Sequence, residues 1–278
     1  MLLFPALVLI SLFTYLPAGS AFYDSLFAMA NGERYLALAE NLEYLYDDPI
    51  FWKALTNNFW YAVVTVPISM ILALIMALIV NEKFLGRGSL RLAYFLPTML
   101  PMIAAANVWL FFYSPEIGLF NRVMAYFGVI GPNWLGDPNT ALASVMLLAI
   151  WKEAGFFMIF YLAALQAIPN ELNDAAKIES PSYFYRLRRF IIPLLGPTTV
   201  FVFINALINA FKLVDHLFIL TKGGPDNSST LLLYYIYETA FSFFDRIYAA
   251  NLTLVLLLLL ALCSALQFLL THNRVHYR

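Results

Sequence analysis

The chain has 278 residues, 62% of them apolar, 17% aromatic and 12% charged, with a net charge of −1 and a mean hydropathy of +0.77. A soluble domain carries about 45–50% apolar and about 25% charged residues, which excludes a water-soluble enzyme and a disordered scaffold. The near-neutral charge leaves no basic footprint for a nucleic acid.

A helix that crosses the hydrocarbon needs about 20 mostly apolar residues. Six stretches meet that requirement, roughly 2–22, 59–80, 92–113, 141–165, 191–211 and 250–270. The expected fold class is therefore an all-α integral membrane protein with six transmembrane helices, in one transmembrane domain over 1–278. Pro17 should kink or end the first helix. Ala18-Gly19-Ser20-Ala21 fits a signal-peptide cleavage site. The stretch lacks a basic n-region and is long for an h-region, so it is read as an uncleaved span. The single cysteine, Cys263, excludes an internal disulfide.

Lys and Arg in the connections set the orientation. Nine lie on one side, among them Arg87, Arg91 and the cluster Arg186, Arg188 and Arg189. Five lie on the other: Arg34, Lys53, Arg122, Lys222 and Arg246. Both termini and the segment 169–190 are thus expected in the cytoplasm.

Polar residues at membrane depth are costly and tend to face a bundle interior or a water-filled path. In the fifth span Asn205, Asn209 and Lys212 share one helical face by their spacing of four and three. Such a stripe suits the hydroxyls of a sugar or polyol. Interhelical hydrogen bonds that only pack helices, worth about 0.6 kcal/mol each, explain the asparagines equally well. Lys212 and Asp215 are also spaced for an i,i+3 ion pair. Lys152 and Glu153 interrupt the fourth span and point to different faces, so each needs its own partner. Trp151 beside them can stack on a sugar ring or anchor at the interface. No G-x-x-x-x-G-K-[ST] run occurs, so no ATP-binding P-loop is expected in this chain. No metal site and no catalytic set stand out.

The segment 169–190 is longer than a turn requires. It reads as two short helices with a sharp joint: Asn170 as a cap, Glu171 and Asp174 in a first turn, and Ser180-Pro181 starting the second. An interfacial helix is one reading of it. A rigid projection that docks into a partner's groove is the other.

This loop resembles the EAA loop of permease subunits in binding-protein-dependent ABC importers. Their pattern runs glutamate-alanine-alanine, aspartate-glycine-alanine, phenylalanine and isoleucine-x-leucine-proline. Here stand Asp174-Ala175-Ala176, Glu179-Ser180-Pro181, Phe190 and Ile191-Ile192-Pro193-Leu194. The run IWKEAGFFMIFYLAALQAIP before the loop and the GGP run around Gly223-Gly224-Pro225 extend the likeness over almost the whole chain. The GGP run is similar to that of the first of two paired permeases in maltose, lactose and glycerol-phosphate importers. Two positions depart from the pattern: Asp174 is shorter than glutamate, and Ser180 before a proline cannot turn as glycine does.

The resemblance implies a permease of an ATP-driven importer that moves a carbohydrate or polyol across a bacterial-type inner membrane by alternating access. It implies four kinds of partner: a second homologous permease, two ATP-binding subunits that hold ATP and Mg, an external solute-binding protein and the lipid membrane. Glu171, Asp174, Ala175, Ala176, Glu179, Ser180 and Pro181 are then the ATPase-coupling candidates. Trp151, Glu153, Asn205, Asn209 and Lys212 are the solute-path candidates. The alternative is an ion-coupled secondary transporter, in which Lys152, Glu153 or Asp215 couples ion to solute. A membrane-embedded enzyme is a third class, and no assembled catalytic set speaks for it.

Overall fold

A computed structural model describes residues 3–30, 33–169, 171–172, 174, 179 and 182–272. Among the described residues five helices are long and apolar enough to cross a membrane, and a sharply bent pair brings the candidate crossings to six when it is counted as one span. Helix α1 (Phe4–Asp24) has no fully buried residue and lies on the outside of the bundle. Pro17 does not end it. A π-helical stretch, Ser11–Tyr15, precedes the proline and absorbs its missing N–H, so the helix continues to Asp24. A two-stranded hairpin follows, β1 (Phe27–Ala30) against β2 (Glu33–Leu36), antiparallel with Ala28 opposite Tyr35.

Helix α2 (Leu38–Asp47) turns into α3 (Pro49–Asn81), which starts about ten residues before the expected span. Two local signals set that start. The Asp48 carboxylate accepts a hydrogen bond from the Ile50 N–H at 2.8 Å, and Pro49 occupies the first turn, where its missing N–H costs nothing.

The expected third span is corrected. It is two helices, α4 (Arg87–Met99) and α5 (Met102–Tyr113), bent by 103° at Leu100-Pro101. Pro101 cannot donate a backbone hydrogen bond and forces Leu100 into extended geometry, ψ 135°. After α6 (Leu119–Tyr126) comes α7 (Ala141–Ala167), the most buried span, packed along α3. Gly155 lets α4 approach α7, since a Cβ there would sit 2.3 Å from the Tyr94 carbonyl oxygen.

Past the loop, Ser182 caps a helix, α8 (residues 183–194), by accepting from the Tyr185 N–H. That start lies two residues later than the Ser180-Pro181 start expected from sequence. The fifth crossing is α9 (Gly196–Lys212) continued by α10 (Asp215–Leu220). The extended backbone at Leu213 breaks the helix between Lys212 and Asp215. Their i,i+3 ion pair does not form, and the one ion pair among the described residues joins Arg34 to Asp24. Helices α11 (Leu232–Phe241) and α12 (Arg246–His272) close the bundle, α12 being the last candidate crossing in chain order.

Candidate functional site: a polar cleft between three helices

Helices α3, α7 and α9 meet around a small polar cleft inside the main apolar core. From α3 come Tyr61, Thr65 and Ser69, all buried and spaced four apart, so they stack on one helical face. Helix α7 contributes Glu153 and α9 contributes Asn209. Ala149, Ala206 and Ala210 leave the gap that larger side chains would fill. The free space is about 10 Å³, close to a single water, so in this conformation the helices are closed on it.

The carboxylate and the carboxamide are joined across the gap. Asn209 Nδ2 donates to both Glu153 oxygens, at 3.1 and 3.3 Å. Behind the cleft, the Tyr61 hydroxyl and His216 Nε2 lie 3.1 Å apart, and His216 Nδ1 has no partner among the described residues. Lys152 faces the other way, as its place next to Glu153 requires. Its ammonium donates to the Pro97 carbonyl at 2.9 Å and to the Leu100 carbonyl, at the broken end of α4.

The expected residues therefore separate. Glu153 and Asn209 come together. Asn205 instead donates to the Phe201 carbonyl one turn back in its own helix, at 2.8 Å. Lys212 is exposed at the end of α9. Trp151 packs against Trp109, ring centroids 5.5 Å apart, in an aromatic cluster beside the cleft. The expected single stripe of Asn205, Asn209 and Lys212 is thus not one lining, because Lys212 is exposed in the last turn of the helix and Asn205 donates to its own backbone. Tyr61, Thr65 and Ser69 were missed, although their i, i+4, i+8 spacing in an apolar helix was visible in the sequence.

In the segment 169–190, Glu171, Leu172, Asp174 and Glu179 are helical and exposed. Ala175, Ala176, Ser180 and Pro181 lie outside the described residues, as does the expected cap Asn170.

At the far end of the bundle the GGP segment is tied down by paired asparagines of α3. Asn57 Nδ2 donates to the carbonyls of Asn227 and Thr230, each at 3.0 Å. Asn58 donates to the Ala210 carbonyl and accepts from the Leu232 N–H. The same end holds Asp48, whose carboxylate accepts from the Tyr235 and Tyr248 hydroxyls. Burial, then the hydrogen bond to Asp48, pushes the Tyr235 phenol far above its usual range, so it remains a donor.

A bundle of five or six candidate membrane crossings packed around a small polar cleft defines a polytopic membrane protein. The sequence matches the family described as binding-protein-dependent transport system inner membrane components over residues 66–275, and the chain belongs to that family. Among its relatives, the lactose transport system permease protein LacF of Rhizobium radiobacter is 35% identical, covering 97% of this chain and 92% of the relative. The sulfoquinovosyl glycerol transport system permease protein SmoG of Agrobacterium fabrum is 33% identical, covering 97% and 88%. In fold the chain is similar to a solved bacterial ABC transporter involved in importing the acidic polysaccharide alginate, with a TM-score of 0.84. There the identity is 20%, over 97% of this chain and 94% of that one.

Proposed function

We propose that this chain is the permease subunit of an ATP-driven importer for a carbohydrate or related polyol, working by alternating access. The observation that carries the reading is the Glu153–Asn209 pair in a cleft lined also by the hydroxyls of Tyr61, Thr65 and Ser69, by alanines and by Val66 and Leu213, inside a chain of this family. Hydroxyl-rich solutes need such a mixture of donors and acceptors. The relatives that transport lactose and sulfoquinovosyl glycerol support the solute class.

The working unit contains a second homologous permease, two ATP-hydrolysing subunits and an external solute-binding protein. Both termini and the loop 169–190 face the cytoplasm. The exposed residues Glu171, Leu172, Asp174 and Glu179 lie on the coupling projection, and the small residues Ala175 and Ala176 between them in sequence are the candidates for contact with an ATPase subunit. ATP closes the ATPase pair, the projection moves with it, and α3, α7 and α9 part to admit solute from the outer side. Nucleotide can shift this equilibrium only by its differential affinity for the two states, so the projection's contacts differ between them. The outer ends around Tyr235, Tyr248 and the GGP turn receive the binding protein.

The test is uptake into proteoliposomes holding all four kinds of subunit. Uptake of a carbohydrate that needs ATP and the binding protein is expected. Uptake driven by an ion gradient without ATPase subunits would overturn the reading. Ala176→Arg should leave the chain inserted but abolish its co-purification with the ATPase subunits, and undiminished co-purification would remove the loop's coupling role.

A further inference from the structure

We propose that Glu153 sets the charge class of the solute: the path through this subunit favours neutral polyhydroxylated molecules and rejects anionic ones. The inference rests on the cleft belonging to the transport path.

Three observations lead to it. First, among the described residues Glu153 is the one carboxylic acid lining the cleft, and no Lys or Arg lines it with it. Second, the cation nearest in sequence is committed elsewhere, because Lys152 donates to the Pro97 and Leu100 carbonyls and holds the bend between α4 and α5. Lys212, the other basic residue expected near the path, is exposed in the last turn of α9, just before the break at Leu213, and does not line the cleft. Third, Asn209 presents its N–H group to the carboxylate, which orients the oxygens and leaves further lone pairs for incoming donors.

A neutral sugar supplies those donors from its hydroxyls. A carboxylate, phosphate or sulfonate supplies only acceptors, and brings a like charge into a region of reduced dielectric with nothing to neutralise it. Relatives and fold neighbours of this chain include a lactose permease and a transporter of an acidic polysaccharide, so both charge classes occur around it. The cleft chemistry assigns this chain to the first.

The experiment uses the complete importer in nanodiscs, trapped with ATP and vanadate and without the binding protein, so that selectivity comes from the membrane subunits alone. Saturation-transfer NMR is run with neutral sugars (glucose, maltose, lactose) and with anionic counterparts (glucuronate, glucose 6-phosphate, lactobionate). The best neutral sugar should bind at least about tenfold more tightly than its anionic counterpart, a difference of about 1.4 kcal/mol. Glu153→Gln keeps the hydrogen bond to Asn209 and should bring the two within about threefold. An unchanged ratio in Glu153→Gln, an anion bound as tightly as the neutral sugar in the wild type, or no binding of either class would each overturn the inference. ATP-dependent uptake is measured in parallel on the same purified importer in proteoliposomes with the binding protein, so loss of the importer reading itself would be seen separately, as absent transport of any carbohydrate.

Discussion

Asp48 and Tyr235 lie 187 residues apart in the chain, yet the tyrosine hydroxyl donates to the aspartate carboxylate at 2.7 Å. Tyr248 donates to the same oxygen, and the other carboxylate oxygen caps α3 through the Ile50 N–H. One side chain thereby joins the start of α3 to α11 and α12. Hydrogen bonds to a charged group contribute about 1.5–3 kcal/mol. Asp48→Ala removes three at once, and should destabilise the protein by about 3 kcal/mol or more, read as a lowered unfolding midpoint in detergent. A midpoint within the error of the wild type would show that the outer helix ends are held by other contacts.

Lys152 holds the bend of the broken span. Its ammonium meets the carbonyls of Pro97 and Leu100, which no helical N–H can reach once α4 ends before Pro101. Lys152→Met keeps the stem and leaves two carbonyls unpaired, at an expected cost of about 2 kcal/mol. The measurement is thermal unfolding alongside transport. Lys152→Arg, which keeps a donor, should restore part of the loss.

Helices α4 and α7 touch through Gly155. Gly155→Val must push the Tyr94 backbone away, since even a Cβ would stand 2.3 Å from its carbonyl oxygen. Overpacking of this kind costs about 1–3 kcal/mol. Purified yield and unfolding midpoint should both fall. Gly19→Ala, where a Cβ meets nothing within 4 Å, is the control expected to change neither.

Asn205 and Asn209 look alike in sequence but differ in contact. Asn209→Leu leaves Glu153 without its donor and should reduce solute uptake at least about tenfold while the chain still assembles with its partners. Asn205→Leu removes only a bond to its own helix and should transport near the wild-type rate. Equal losses in the two variants would show that the path follows the whole helix face.

Much of the site was within reach of residue patterns, and part was not. Glu153 and Asn209 stood out because polar groups are rare at membrane depth. The Tyr61, Thr65 and Ser69 face was legible too, by its fourfold spacing, but hydroxyls are weak signals in an apolar run. The hairpin carries Asn31-Gly32 between its strands in sequence, a strong turn signal. It was passed over because strands of four residues carry too little alternation to register. The bend at Leu100-Pro101 was obscured for another reason: two apolar helices of thirteen and twelve residues have the summed hydropathy of one span.

Composition and apolar run length settled the membrane class and located the candidate crossings, because burial in lipid is a demand each segment meets on its own. Which polar side chains meet, and which turn aside, was decided only when the helices packed. Glu153 found Asn209 and Lys152 found the bend, because packing brings together residues more than fifty positions apart. Helix periodicity gives a side chain its direction but says nothing of what stands opposite.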